Sequence, residues 1–447
     1  WRTQSIARTD SWALDPRAEP WRELGVRFGV RSNVAIPFVG QDGHVVGVLA
    51  IYGTQPNQFA SAWMQQWTAG VQRRMESIWA QCSTPPGSLV LSEEKALNYR
   101  ERLFAGGLQM YMQPIADLET GQVTHVEALA RLRMPDGTVV SPALFIPLLG
   151  NTELDRVFRV GLDQTLEAVR AWDAQGLTVD MSINLPPSTL LDPDCAGWVE
   201  EALRRHAVEP RRLALELLET QAFDSAAQGE AIHRLRKVGI RLAMDDLGTG
   251  YSSIHRLSTL KFDSIKIDQN LILQIYDSPL QTITLIGTLV LLGLDLGQSV
   301  VVEGIEDEGM LEVAAVFGAK YAQGYAIAAP MPASQVPDWL GGFAFPIEVG
   351  GHRLQTYAGA LAYHWRFVHL SNGQHPSSAS DCPLERFLHE RGYQGTEIDD
   401  WHARIHTSGA KAEEASRKLS NWLADKVRAS RPGNCAEIPP RDAARAG

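Results

Sequence analysis

The sequence predicts an α/β protein built on a TIM-like (β/α)8 barrel, and three observations carry that prediction. Short apolar strands alternate with helical stretches across residues 91–342. Strands are expected at 108–115, 123–131, 179–185, 212–219, 241–246, 264–268, 299–305 and 321–328, and that many βα units in about 250 residues is the size of one barrel. Polar residues recur at the C-terminal ends of these strands, where barrels of this kind carry their chemistry.

The first two strands are separated only by 116–122, too short for a crossover helix, so they should form an antiparallel pair. Before the barrel, Ser32–Val39 and His44–Tyr52 flank Gly40-Gln41-Asp42-Gly43, which reads as strand, tight turn and strand. Met64, Trp67, Val71, Met75 and Ile78 follow at steps of three and four, the stripe of an amphipathic helix. This unit, residues 1–82, resembles the C-terminal half of a GAF sensor domain. Residues 83–90 are a linker by composition. After the barrel, 343–430 carry helical patterns and an unusual share of the histidines, and 431–447 have the composition of a disordered tail.

Composition narrows the function classes. The chain has 447 residues, 45% hydrophobic and 21% charged, as expected of a globular protein of two or three domains. A net charge of −11 argues against polymeric nucleic acid or anionic lipid as partner. The four cysteines form no CxxC pair, which indicates a reducing compartment. No apolar run is long enough for a membrane span, so the expected location is the cytoplasm. The chain opens at Trp1 without a methionine, which suggests a piece of a longer protein.

The candidate site follows from the strand ends. Glu127 lies near the end of the second strand, Asn184 ends the third, and Glu216 lies in the fourth. Asp245 and Asp246 end the fifth, Lys266 is in the sixth, and Glu303 closes the seventh. In Ser264-Ile265-Lys266-Ile267-Asp268 the isoleucines share one face and belong under the helices, so Lys266 points into the barrel. Five carboxylates with one lysine could not all stay ionised in a partly dry mouth, because mutual repulsion raises their pKa values. Divalent cations resolve the conflict, and all-oxygen donors suit Mg2+ or Mn2+ rather than zinc. Adjacent Asp245 and Asp246 are the natural place for a carboxylate to bridge two ions.

These blocks resemble the EAL family: "MQPIADLETGQVTHVEALARLR", "SINLP", "LELLET", "MDDLGTGYSSIHRLSTLKFDSIKID", "VVVEGIEDEGMLEVAAVFGAKYAQGY" and "PMP" occur in the family's order. The resemblance implies a phosphodiesterase that hydrolyses cyclic di-GMP to linear pGpG with two metal ions, working as a homodimer. It implies that Glu127, Asn184, Glu216 and Asp245 hold one metal and Asp245 with Asp246 the second. Lys266 would orient the nucleophilic water, and Glu303 would act as general base. Gln113, Leu129, Arg131 and Gln323 would contact the substrate, Arg131 as a phosphate clamp. Glu219 would steady the loop from Asp246 to Ser253. Leu218, Leu247, Pro186 and Gln269 depart from the family's usual residues, and none of them is a proposed ligand or the base. The alternative reading is a catalytically weak receptor or scaffold for the dinucleotide; an altered Glu127, Lys266 or Glu303 would favour it.

In the C-terminal segment His402 and His406 are four apart, which puts them on one helical face. "CPLERFLHERG" followed by "WHARIH" resembles the chemoreceptor zinc-binding (CZB) domain, whose zinc is held by three histidines and a cysteine. The resemblance implies a zinc site of Cys382, His402 and His406 with His364, or with His352 or His369 in its place.

Overall fold

The apolar runs become strands in the computed structural model, which describes residues 5–40, 44–82, 93–218, 225–247, 257, 260–348, 353–370, 382–407 and 410–432. The expected linker, Glu219, most of the loop after Asp246, His352 and the tail beyond 432 lie outside the described residues. The chain divides into two compact units, Trp1–Ser92 and Glu93–Gly447.

The first unit is an antiparallel sheet of β1 (Ala7–Thr9), β2 (Ser32–Val39) and β3 (Val45–Gly53), with the helix Ala62–Cys82. Its core is Val34, Ile36 and Phe59, against which Met64 and Val71 pack. Trp67 departs from the expected stripe, being 41% exposed, because three strands present too little apolar surface to cover a whole helix face.

The second unit contains the barrel. Its strands are β4 (Leu108–Asp117), β5 (Val123–Arg133), β7 (Asp180–Asn184), β8 (Leu213–Leu218), β9 (Arg241–Leu247), β10 (Ser264–Ile267), β11 (Ser299–Val302) and β12 (Tyr321–Ala322). Two short additions, β6 (Val139–Val140) and β13 (Met331–Pro332), pair with β5 and β4. Parallel pairing runs from β5 through β7 to β12, and β4 closes the ring antiparallel to both β5 and β12. Outer helices, among them Asn151–Asp173, Cys195–His206, Pro279–Asp295 and Glu308–Phe317, bury their apolar faces against the strands.

Two strands are shorter than the sequence suggests. After Val302 the chain turns at Gly304, whose φ of +70° suits glycine. The expected strand 321–328 stops at Ala322 because Gly324 presses against residue 305; a Cβ there would lie 2.2 Å from the Ile305 nitrogen. Ile305 N then donates to the Gln323 carbonyl, and the Ile305 carbonyl accepts from Ala326 N.

Four helices, Tyr357–Leu370, Pro383–Glu390, Glu397–Ile405 and Ala410–Ala429, complete the second unit. Phe317 of the barrel meets Trp365 edge to face, and Trp365 Nε1 donates to Thr284 Oγ1. Glu312, 4% exposed, accepts from the backbone nitrogens of Gln355 and Thr356 and from Thr356 Oγ1. A carboxylate of the barrel thus anchors the chain at the start of the first of these helices and holds Thr356, whose Oγ1 accepts from Gly359 N as the helix's own cap. Among the described residues no helix is long and apolar enough to cross a membrane.

Candidate active site

Strand pairing brings polar side chains of neighbouring strands together near the C-terminal rim of the barrel. Glu127 stands opposite Gln113 on one side and Ser182 on the other; Asn184 pairs with Glu216. Between β9 and β10 the register slips, with Met244 opposite Ile265 and Leu247 opposite Ile267, so Asp245 and Asp246 together face Lys266. This is a β-bulge, and Asp246 sits at its bend with φ of +59°. Without it, alternation would send the two aspartates to opposite faces of the strand. Leu247, at the end of the bulge, turns inward to full burial.

Lys266, 2% exposed, is the hub. Its Nζ lies 2.6 Å from Glu303 Oε1, 2.9 Å from Glu216 Oε2, 3.0 Å from Glu127 Oε2 and 3.5 Å from Asp245 Oδ1. Asn184 Nδ2 donates to the other oxygen of Glu127 at 3.0 Å, and Gln323 Nε2 donates to Glu127 Oε2 at 2.7 Å and to Gln113 Oε1 at 3.0 Å. Donor oxygens of Asp245, Asp246 and Glu303 all lie within 4.8 Å of one another. Glu127 and Glu216 stand outside that trio, tied to Lys266.

The electrostatics record an excess of negative charge. Burial, followed by the charge of Glu127, raises Glu216 well above the usual carboxylate range. Burial raises Asp245, lifts Asp246 to about 6 with help from Asp245, and pushes Glu303 up to about 8. Burial also works against Glu127, but Lys266 and the Gln323 hydrogen bond outweigh it and hold this carboxyl low. For Lys266, burial is overcome by the surrounding carboxylates, and its pKa is raised well above that of a free lysine. One ammonium is too little for five acids, and an oxygen-only donor set at a cleft mouth fits divalent cations.

Above this layer lies a cleft of about 460 Å3 whose walls include Gln113, Leu129, Arg131 and Gln323. The sequence reading missed Asn270, Glu306 and Tyr325, which also line it, and noted Gln269 only as a departure from the family's usual residue. Gln269 and Asn270 open a short helix after β10 and Glu306 and Tyr325 lie in loops after strand ends, where only their position on the rim could have singled them out. Arg131 Nη1 donates to the carbonyl of Ala130, and its guanidinium stands 5.9 Å from the Tyr111 ring.

The fold and this rim are those of the EAL domain family, to which the chain belongs: the EAL domain model matches residues 96–330, more than half of the 447 residues. A Pseudomonas aeruginosa protein named cyclic di-GMP phosphodiesterase is 36% identical over 244 residues, 52% of this chain and 40% of that protein. The Escherichia coli protein named probable cyclic di-GMP phosphodiesterase PdeA is 35% identical over 240 residues, 52% of this chain and 32% of that one. This chain therefore spans well under half the length of these relatives. The solved structure of the phosphodiesterase PaMucR with c-di-GMP superposes with a TM-score of 0.51 at 30% identity, covering 54% of this chain and 98% of that one.

The C-terminal helices form a second cluster. Donor atoms of Cys382, His402 and His406 lie within 4.8 Å of one another, and the two Nε2 atoms are 3.2 Å apart. Burial, then the neighbouring His406, lowers His402 to about 4, and burial raises the Cys382 thiol. His364 is buried and lowered to about 4 by burial, but it is not brought into this trio. Its Nε2 lies 3.1 Å from Ser416 Oγ. His369 instead bonds the carbonyl of Trp365.

Proposed function

We propose that this chain is a cyclic di-GMP phosphodiesterase that hydrolyses one diester bond to give linear pGpG. The observation that carries the reading is the Lys266 ammonium among four carboxylates beside the Asp245–Asp246 bulge. The names of its relatives supply the substrate. Glu127, Asn184, Glu216 and Asp245 would hold one Mg2+ or Mn2+, and Asp245 with Asp246 the other. When bound, such ions neutralise charge on the phosphoryl oxygens and lower the pKa of water.

The chain's own residues do the rest. Arg131 holds the non-bridging oxygens as a planar two-pronged donor, with Gln113, Leu129 and Gln323 fixing the nucleotide beside it. Lys266 directs the attacking water. Glu303, whose burial keeps its proton affinity near neutral pH, takes the water's proton as the new oxygen–phosphorus bond forms. The bond from phosphorus to the bridging 3′ oxygen breaks, and that oxygen takes up a proton. Glu219 would steady the loop that follows Asp246. Incubation with cyclic di-GMP and either metal, followed by chromatography, tests the reading; tight binding without product would make the chain a receptor. The presence of Glu127, Lys266 and Glu303 together favours catalysis. The reading carries with it a cytoplasmic homodimer, to be checked by light scattering, and the GAF-like segment as sensory input.

For the C-terminal helices we infer a zinc site of Cys382, His402 and His406. Two imidazoles, of which burial keeps His402 neutral, and a thiol converge in a largely buried place and match the donors zinc prefers. His364, the expected fourth ligand, would have to leave Ser416 to join them. Elemental analysis of the wild type beside His402→Ala and Cys382→Ala decides it.

A further inference from the structure

The barrel is hollow beneath its catalytic layer. In barrels of this class the interior is filled by layers of bulky branched side chains. Here Ser182, Ala214, Ala243 and Ser264 stand two positions before Asn184, Glu216, Asp245 and Lys266 on four adjacent strands and line one interior space, with Ser182 paired to Ala214 and Ala243 to Ser264. These small side chains leave a cavity of about 200 Å3, separate from the cleft above. Lys266 lines both spaces, so the partition between them is one side chain thick.

The lower cavity is polar where it matters. Glu216 and Lys266 form its roof. Ser182 is 7% exposed, and its hydroxyl oxygen is buried with no hydrogen-bond partner in the protein. Arg241 Nε is likewise buried without one, although the same guanidinium reaches Asp180 at 2.8 Å and His125 Nε2 at 3.2 Å. Buried hydroxyls and guanidinium nitrogens are costly when unsatisfied, and a cavity of this size holds several waters at about 30 Å3 each. At its far end Asp263, Ser264, Ser299 and Tyr321 are partly or fully exposed, so the space reaches the N-terminal rim.

We propose that this cavity is a hydrated chamber, open at the N-terminal rim, through which water reaches the Lys266–Glu216 pair from beneath. Its ligand is water, held by Ser182, Arg241 and the two roof charges. Under the hydrolase reading, on which this consequence rests, the chamber supplies water to the catalytic layer while the dinucleotide covers the cleft.

The test uses the full chain carrying Ser182→Cys, with the wild type in parallel and modified peptides located by mass spectrometry. Methyl methanethiosulfonate should modify the introduced thiol in the folded protein, whereas a bulky maleimide dye should not. Saturating cyclic di-GMP with Ca2+ should leave the small reagent's rate unchanged, because the dinucleotide occupies the other side of Lys266. Ala243→Cys, two strands along the same wall, repeats the experiment should the serine variant not fold. No reaction in either folded variant, or protection by bound dinucleotide, overturns the chamber. The modified protein should lose turnover with dinucleotide affinity unchanged, and full turnover would overturn the supply role. Labelling needs no hydrolysis, so failure of the hydrolase reading leaves that result standing by itself.

Discussion

The barrel rim and the C-terminal bundle each gather chemistry-bearing side chains in a buried place, and they do it in opposite ways. The rim assembles hard oxygen donors, all of one charge, and places a lysine in their midst. The bundle assembles two imidazoles and a thiol, and burial favours the uncharged form of His402 and of the Cys382 thiol. Charged groups in low dielectric need a partner to remain there, whereas neutral ones need only hydrogen bonds. The rim acids therefore have a counter-charge in Lys266 without any metal, whereas the proposed zinc would be the bundle cluster's main added source of order.

The strongest way to break this contrast is at the rim. Glu127→Ala should abolish turnover, since it removes both a proposed ligand and the acceptor of Lys266, Asn184 and Gln323. Glu303→Gln should lower turnover by about 10²–10⁴-fold while dinucleotide affinity holds, as expected for loss of a general base. Steady-state rates beside binding titrations check both, and a turnover close to wild type in either would remove the assignment. Ca2+ in place of Mg2+ should inhibit, because it prefers longer bonds and looser geometry.

Next in size is the hub itself. Lys266→Met leaves buried carboxylates without their counter-charge and should destabilise the metal-free protein by about 3–5 kcal/mol. Urea unfolding measures this, and an unchanged midpoint would mean that the acids are balanced elsewhere.

A good part of both regions can be read in the sequence, and the failures have physical causes. Strand ends named the five acids gathered around Lys266, because barrel strands deliver their C-terminal ends to one rim, whereas Glu306 of the cleft wall was missed. Period-two alternation could not say that Asp245 and Asp246 face the same way; that required a bulge, which only the pairing with β10 reveals. The His402–His406 spacing located the bundle cluster, but the place of His364 depends on how helix Tyr357–Leu370 packs against Ser416. Glu312 was legible only as a lone acid in the apolar run Met310–Phe317, and its role as an anchor for the start of another helix is a tertiary fact.

In the bundle the effects should be smaller. Cys382→Ala should remove the proposed zinc, read by elemental analysis, and lower the melting temperature while leaving dinucleotide turnover largely intact. A zinc content equal to that of wild type would make these residues ordinary packing. The smallest expected effect is at the junction. Glu312→Ala leaves the Gln355 and Thr356 amides at the start of helix Tyr357–Leu370 without their acceptor and should cost about 1–2 kcal/mol. Hydrogen exchange at Gln355 and Thr356 should rise with it, and unchanged protection there would show that the helix does not depend on the barrel.

The central claim is that water attacks phosphorus at the Lys266 rim. Its most direct test is a reaction of the wild-type chain with cyclic di-GMP and Mn2+ in 18O-labelled water, with the products resolved by chromatography and mass spectrometry. We expect linear pGpG as the first product, with one 18O in its terminal phosphate, and none from Glu127→Ala under the same conditions. Recovery of intact cyclic di-GMP, or a linear product without the label, would contradict it.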